Sequence, residues 1–312
     1  MKKISPLFLM FFILSISYAQ QKEYLEENLS IDKFTDGTLT LPEDSENPTL
    51  VIFIQGSGPT NRDGNQPMMK NDGIKKIAHE LADNGIASFR YDKRIFKMDK
   101  LRIKEADLSF EDFVTDLNSI IGHFEKETKY KKLILAGHSE GSLIGILAAQ
   151  FGKVDGFISL AGAGRSIDEI IVEQIAKQSA DLSENARTAF DEIKEKGSTT
   201  NYSPYLESIF RPSVQPYIKS WMKFDPAAEL AKLDIPVLIV NGSFDLQVDV
   251  KDANLLQDAA PGSQLLIPQK MNHIFRKIEG ESLDNTKAYN EPGRPLHPEL
   301  IPAMVGFINS IE

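Results

Sequence analysis

Cysteine is absent from all 312 residues. That excludes a disulfide framework and a thiol for acyl attachment, so stability must come from the core alone. Long apolar runs are missing too. The N-terminal run Leu7 to Leu14 falls far short of the roughly 20 residues that a membrane-spanning helix needs. Basic charge is in deficit, with a formal net charge of −10, which argues against nucleic acid or an anionic membrane as the main partner. The five histidines show no ligand spacing, so no metal or organic cofactor is expected. Neither an internal repeat nor a low-complexity tract occurs.

The N-terminus itself has a pattern. Lys2 and Lys3 precede the apolar Leu7 to Leu14 run, and Ser17-Tyr18-Ala19 offers small residues at −3 and −1. This predicts a signal peptide over residues 1–19, cleavage before Gln20, and export to the periplasm or beyond the cell; an uncleaved anchor is the alternative. Losing Lys2 and Lys3 leaves 33 basic against 45 acidic residues, a formal charge of −12. Roughly 290 remaining residues suffice for one large α/β domain, or one domain with an insertion.

Strand and helix patterns alternate along the chain. Residues 25–41 read as short β segments joined at Asp36-Gly37. Leu50 to Ile54 is continuously apolar, as in a strand buried on both faces. Helical spacing follows at 73–84, a strand at Ala87 to Tyr91, a second helix at 110–125, and strands at Leu133 to Ala136 and Gly156 to Leu160. Later strands fall at Val237 to Val240 and Gln264 to Pro268, and a final helix at 298–311. The alternation predicts a mostly parallel, doubly wound α/β sheet. Residues 165–222 break it, holding helical stretches and no strand. We expect a helical cap or lid inserted between a first core part (20–164) and a second (223–312), although a purely structural helix pair fits the same pattern.

Gly137-His138-Ser139-Glu140-Gly141 follows the apolar Leu133 to Ala136 run and opens a helical one. A strand, a sharp Gly-x-Ser-x-Gly turn and a helix together hold a serine hydroxyl exposed at the end of a sheet. Such a serine needs a base, commonly a histidine oriented by a carboxylate. His79 and His123 fall within helices, His138 is locked inside the turn, and His297 precedes the last helix as a loop or capping residue. His273 lies just after the last strand, where a loop can present it to Ser139. The acid is expected after Val237 to Val240, where Asp245 comes first; Asp249 and Asp252 are competitors, Asp249 fitting a helix start better. Two backbone N–H groups should receive the oxyanion: that of Glu140, and one from the Gly-rich loop Gln55-Gly56-Ser57-Gly58-Pro59, assigned to Ser57.

These residues resemble a known group. The run from Gly56 to Gly64, Gly-Ser-Gly-Pro-Thr-Asn-Arg-Asp-Gly, is similar to the signature of bacterial α/β-hydrolase-fold carboxylesterases, which commonly carry Gly-His-Ser-Glu-Gly at the nucleophile. Arg90-Tyr91-Asp92-Lys93-Arg94, Phe224-Asp225-Pro226 and Leu296 to Leu300 resemble further stretches, and the likeness runs from about residue 48 to the C-terminus. It implies an α/β-hydrolase fold, a helical cap over 165–222, a small-molecule ester as substrate, Ser139, Asp245 and His273 as triad, and the Gln55-Gly56-Ser57 loop as oxyanion hole. Serine peptidase, thioesterase and non-catalytic binding module are the alternatives. One stretch departs: the group continues after Lys93-Arg94 with a glycine-rich turn, whereas this chain has Ile95-Phe96-Lys97-Met98. Six basic residues cluster nearby (Lys93, Arg94, Lys97, Lys100, Arg102 and Lys104). They read as a solvated surface run, or as a rim that attracts acidic esters.

Overall fold

Eight strands build one sheet: β1 (Tyr24–Ser30), β2 (Asp36–Pro42), β3 (Leu50–Ile54), β4 (Ala87–Tyr91), β5 (Leu133–His138), β6 (Gly156–Leu160), β7 (Val237–Val240) and β8 (Gln264–Leu266). The computed structural model describes residues 24–43 and 45–311, and the expected signal segment 1–19 lies outside the described residues. The strand order is β1-β2-β4-β3-β5-β6-β7-β8. β1 pairs β2 and β2 pairs β4 antiparallel; every pairing from β4 through β3 to β8 is parallel.

Four helices precede or follow the early strands: α1 (Gly73–Asp83), α2 (Met98–Leu101), α3 (Phe110–Phe124) and α4 (Glu140–Ala149). Between β6 and β7 come α5 (Ile167–Ala176), α6 (Ala180–Lys196), α7 (Glu207–Phe210) and α8 (Gln215–Trp221). The chain ends with α9 (Pro226–Leu230), α10 (Val250–Ala259), α11 (Ser282–Ala288) and α12 (Leu300–Ser310). None of the described helices is long and apolar enough to cross a membrane.

Side chains alternate across a strand, so each central strand feeds two cores. Leu50, Ile52, Ile54, Leu133 and Leu135 face α3, α4 and the segment between β6 and β7. Val51, Phe53, Ile134, Ala136 and Ile158 face α1 and α12. β3 through β7 are buried along their whole length, which accounts for their unbroken apolar sequences. At some 25 cal/mol per Å² of apolar surface, each such side chain stabilises the fold by about 1.5–3 kcal/mol.

One turn differs from the sequence reading. The β1–β2 hairpin turns at 31–35, where the Asp32 carboxylate accepts N–H bonds from Phe34 and Thr35. Asp36 and Gly37 instead open β2, paired with Ser30 and Leu29. The acidic side chain that organises the turn comes four residues earlier than the Asp-Gly pair suggested.

Candidate active site

The turn after β5 is built by close contact. A Cβ at Gly137 would overlap the Gly141 carbonyl, and one at Gly141 would overlap the Ile54 carbonyl. Only hydrogen fits at either position, so β5 and α4 approach closely and the residue between them is forced outward. Ser139 is that residue. Its φ of 54° and ψ of −118° lie where side chains are strained by about 1–3 kcal/mol. Its N–H is held by the Leu160 carbonyl at 2.9 Å, and its side chain does not cap α4.

Asp245 and His273 meet although 28 residues separate them. His273 Nδ1 lies 2.7 Å from Asp245 Oδ2, and both side chains are buried. The other oxygen, Oδ1, accepts the N–H groups of Gln247 and Val248. One half of the carboxylate thus shapes its own loop while the other half orients the imidazole. With a carboxylate on Nδ1, that nitrogen carries the proton and Nε2 is left as the acceptor.

The competing candidates lie elsewhere. Asp249 is the N-cap of α10 and accepts from the Lys251 N–H. Asp252 is buried against Arg165. His79 bonds Tyr24 and Glu26, and His123 pairs with Glu127. His297 sits before α12, its Nδ1 accepting the Glu299 N–H.

His138 underlies the site. Its ring centre lies 4.7 Å from that of His273, the two planes tilted by 46°, and its Nε2 donates to the His273 carbonyl at 3.0 Å. Burial, reinforced by the charge His273 can carry, pushes its pKa down to about 3. A neutral imidazole at 138 therefore anchors the main chain of residue 273.

Ser57, Ser139 and Glu140 line one cavity of about 450 Å³. The loop bearing Ser57 is folded on itself: the Ser57 carbonyl accepts from Thr60 and Gln66, and Gln55 donates to the Arg62 carbonyl. Arg62 in turn grips Asp92 through its guanidinium and its own N–H. That is the physical content of the Gly56–Gly64 motif. A second cavity of about 520 Å³ adjoins the first, sharing Ser57, Glu140, Ile171, Ile209 and Trp221.

The basic cluster divides. Lys93 and Arg94 are buried, which corrects the surface-run reading for both. Arg94 pairs with Asp112 and Asp116 of α3; Lys93 pairs with Glu140. Lys97 reaches Asp36, and of the six only Lys100, Arg102 and Lys104 are exposed. A charge run signals a solvated face unless the fold supplies buried carboxylates opposite it, as α3 and α4 do here. The departing Ile95–Met98 stretch forms a 3₁₀ turn leading into α2, and Ile95 and Met98 wall the second cavity.

Sequence reasoning missed Lys93, Asn272 and Asn285 as parts of the site. Asn272 donates to Asn285, which donates to the Phe244 carbonyl, bracing the loops of His273 and Asp245 against each other. The adjacency of Asn272 to His273 was the available signal. Among the described residues, no group of three or more His, Cys, Asp or Glu could hold a metal ion.

Known proteins resemble this chain in sequence or fold to different degrees. Residues 71–204 match the family described as serine aminopeptidase, S33. The chain is 26% identical over 270 residues to esterase EstD of Thermotoga maritima, covering 85% of this chain but only 63% of that protein. Among solved structures, Est1E from Butyrivibrio proteoclasticus superposes with a TM-score of 0.57 at 16% identity, covering 91% of this chain and 99% of that one. The Pyrococcus furiosus esterase Pf2001 gives 0.53 at 12% identity, covering 98% and 96%. The sheet order, the helices on both faces and these likenesses give the chain an α/β-hydrolase fold.

Proposed function

We propose that this protein is a serine hydrolase acting on uncharged, apolar carboxylic esters. The observation that carries the reading is local. A strained serine stands on the wall of a cavity shared with Ser57 and Glu140, and His273, bonded to Asp245, packs against the ring of the residue just before that serine. In this mechanism His273 Nε2 takes the Ser139 proton as Oγ attacks the ester carbonyl. The Ser57 and Glu140 N–H groups receive the oxyanion. His273 then returns the proton to the departing alcohol, and water, activated by the same imidazole, releases the acid from Ser139. Asp245 holds the imidazole in the Nδ1–H form and offsets its charge during the step.

The two cavities support the substrate class. The first is walled by Leu143, Ile167, Ile171, Ile175 and Leu182; the second by Leu108, Phe113, Tyr217 and Trp221 among others. Every charged side chain in their walls is already engaged: Glu140 with Lys93, Arg165 with Asp252 and Glu173, and Glu105 with Arg211. An ionised substrate group would therefore be desolvated without a free partner. This favours esters over N-terminal peptides, because an aminopeptidase needs a carboxylate free to hold the substrate's ammonium. Of the cluster read as a rim for acidic esters, Lys100, Arg102 and Lys104 stay exposed. The segment α5–α8, which supplies much of both walls, acts as the cap in this reading.

The test is covalent labelling by a fluorophosphonate together with a panel of p-nitrophenyl esters and aminoacyl anilides. We expect labelling at Ser139 and faster turnover of medium-chain than of charged esters. Anilides cleaved as fast as esters would favour a peptidase, and absence of labelling would favour a binding module. Export, expected from residues 1–19, belongs to the same proposal and is checked by cell fractionation.

A further inference from the structure

The ammonium of Lys93 touches both halves of the proposed oxyanion hole. Lys93 Nζ donates to the Gly56 carbonyl at 2.6 Å and to Glu140 Oε1 at 3.2 Å. It is buried, with only 3% of its surface exposed, and sits 5.5 Å from the centre of the Phe113 ring. Tyr217 of α8 lines the same cavity as Lys93 and Glu140. No step of the mechanism above uses this group, and burying a lysine demands a reason.

Peptide geometry supplies one. The Gly56 carbonyl and the Ser57 N–H belong to a single planar trans unit, in which the two point in opposite directions. Gripping the oxygen therefore sets the direction of the N–H. A positive charge on that oxygen also draws electron density from the amide and strengthens the N–H as a donor. The second bond ties the side chain of Glu140, whose own N–H is the other donor, to the same nitrogen. A compact ammonium with three donors suits this role better than a planar guanidinium.

Resting on the esterase reading, we propose that Lys93 is a positioning residue that aims and polarises the Ser57 N–H and locks it in register with that of Glu140. It acts through these two N–H groups and not on the reacting atoms themselves. Its effect should appear where negative charge develops on the carbonyl oxygen, and not in ground-state binding.

The experiment compares wild type with Lys93→Met and with the double variant Lys93→Met/Glu140→Gln. The double variant leaves no buried charge unpaired, so it separates positioning from misfolding. Readouts are kcat and KM on a p-nitrophenyl ester, affinity for phenylboronic acid as a tetrahedral-adduct mimic, and inhibition by the product acid. Removing an oxyanion donor outright lowers kcat by about 10²–10³; for loss of its support we expect about 10–100-fold in both variants. Boronate affinity should fall by the same factor, with KM and product inhibition within about twofold. The proposal is overturned if the double variant regains wild-type kcat, or if product-acid affinity falls as far as boronate affinity. A wild-type protein inert to ester and fluorophosphonate would overturn the esterase reading itself, whereas an active wild type matched by Lys93→Met would remove Lys93 alone.

Discussion

The central sheet and the helical segment α5–α8 are held by different means. Strands β3 to β7 are buried along every residue and clamped by backbone bonds to neighbours on both sides. In α6 only one stripe is buried, formed by Ser183, Ala186, Ala189, Phe190 and Ile193. That segment is pinned by side chains: Phe190 edge-on to Phe210 at 4.7 Å, Gln215 bridging Thr199 and Phe210, and Asp168 between Arg187 and Lys194. The proposed catalytic residues thus hang from the backbone-locked part, and much of the cavity walls comes from the side-chain-pinned part. Substitutions in the two should separate turnover from substrate preference.

The largest effect falls at the end of the sheet. Ser139→Ala should lower kcat by about 10⁵–10⁶ while leaving thermal unfolding unchanged, and Asp245→Asn by about 10⁴ through the wrong imidazole tautomer. Retention of turnover in either, measured on a p-nitrophenyl ester, would break the assignment of chemistry to these loops.

Next comes the insertion. Phe190→Ala removes a fully buried ring and should destabilise by about 3–5 kcal/mol, read by urea unfolding. If the division of labour holds, KM for long-chain esters rises while kcat for an acetate ester changes little. A uniform fall in kcat across chain lengths would show that the insertion carries chemistry too.

Acid should distinguish the two regions. His138 titrates near 3 when folded, chiefly through burial, against roughly 6.5 unfolded. Below 6.5 the unfolded chain binds the extra proton, so stability is full above that pH and declines on acidification until about pH 3. Between pH 7 and 5 this group accounts for about 2 kcal/mol. His138→Gln should flatten that stretch of the stability curve; an unchanged slope would mean that the buried ring is not neutral. Asp168 behaves differently. Burial raises its pKa, but bonds from Lys194, Ser166 and Arg187 outweigh this and hold it below the ordinary 3.8. Its contribution is present above 3.8 and lost only as pH falls through the depressed value, so on acidification the stability due to Asp168 begins to decline at lower pH than that due to His138.

The smallest expected effect sharpens the choice of acid. Asp249→Ala removes the α10 cap and should destabilise by about 1 kcal/mol with kcat unaltered. A large loss of turnover would shift the orienting role from Asp245 to Asp249.

Much of the fold was legible because buried strands write an unbroken apolar signature. Leu50–Ile54, Ala87–Tyr91, Gly156–Leu160 and Val237–Val240 fall where their sequences predict. With so few histidines, the local setting of each narrowed the candidates to His273, now found bonded to Asp245. The Asp36-Gly37 turn failed because Asp32 competes for the same backbone groups. Lys93 and Arg94 failed because a lysine–arginine pair looks the same in sequence whether it faces water or buried carboxylates.

Sequence alone determined the strand–turn–helix that strains Ser139, since two close backbone approaches leave room only for glycine at 137 and 141. The constraint on Gly137 acts between near neighbours in the chain, through the Gly141 carbonyl, whereas that on Gly141 comes from Ile54 of β3. Tertiary structure alone decided that His273 meets Asp245, that two apolar cavities share Ser57 and Glu140, and that Lys93 lies beneath them. Each of these joins segments tens of residues apart, and such contacts exist only once the sheet and its helices have closed around a common core.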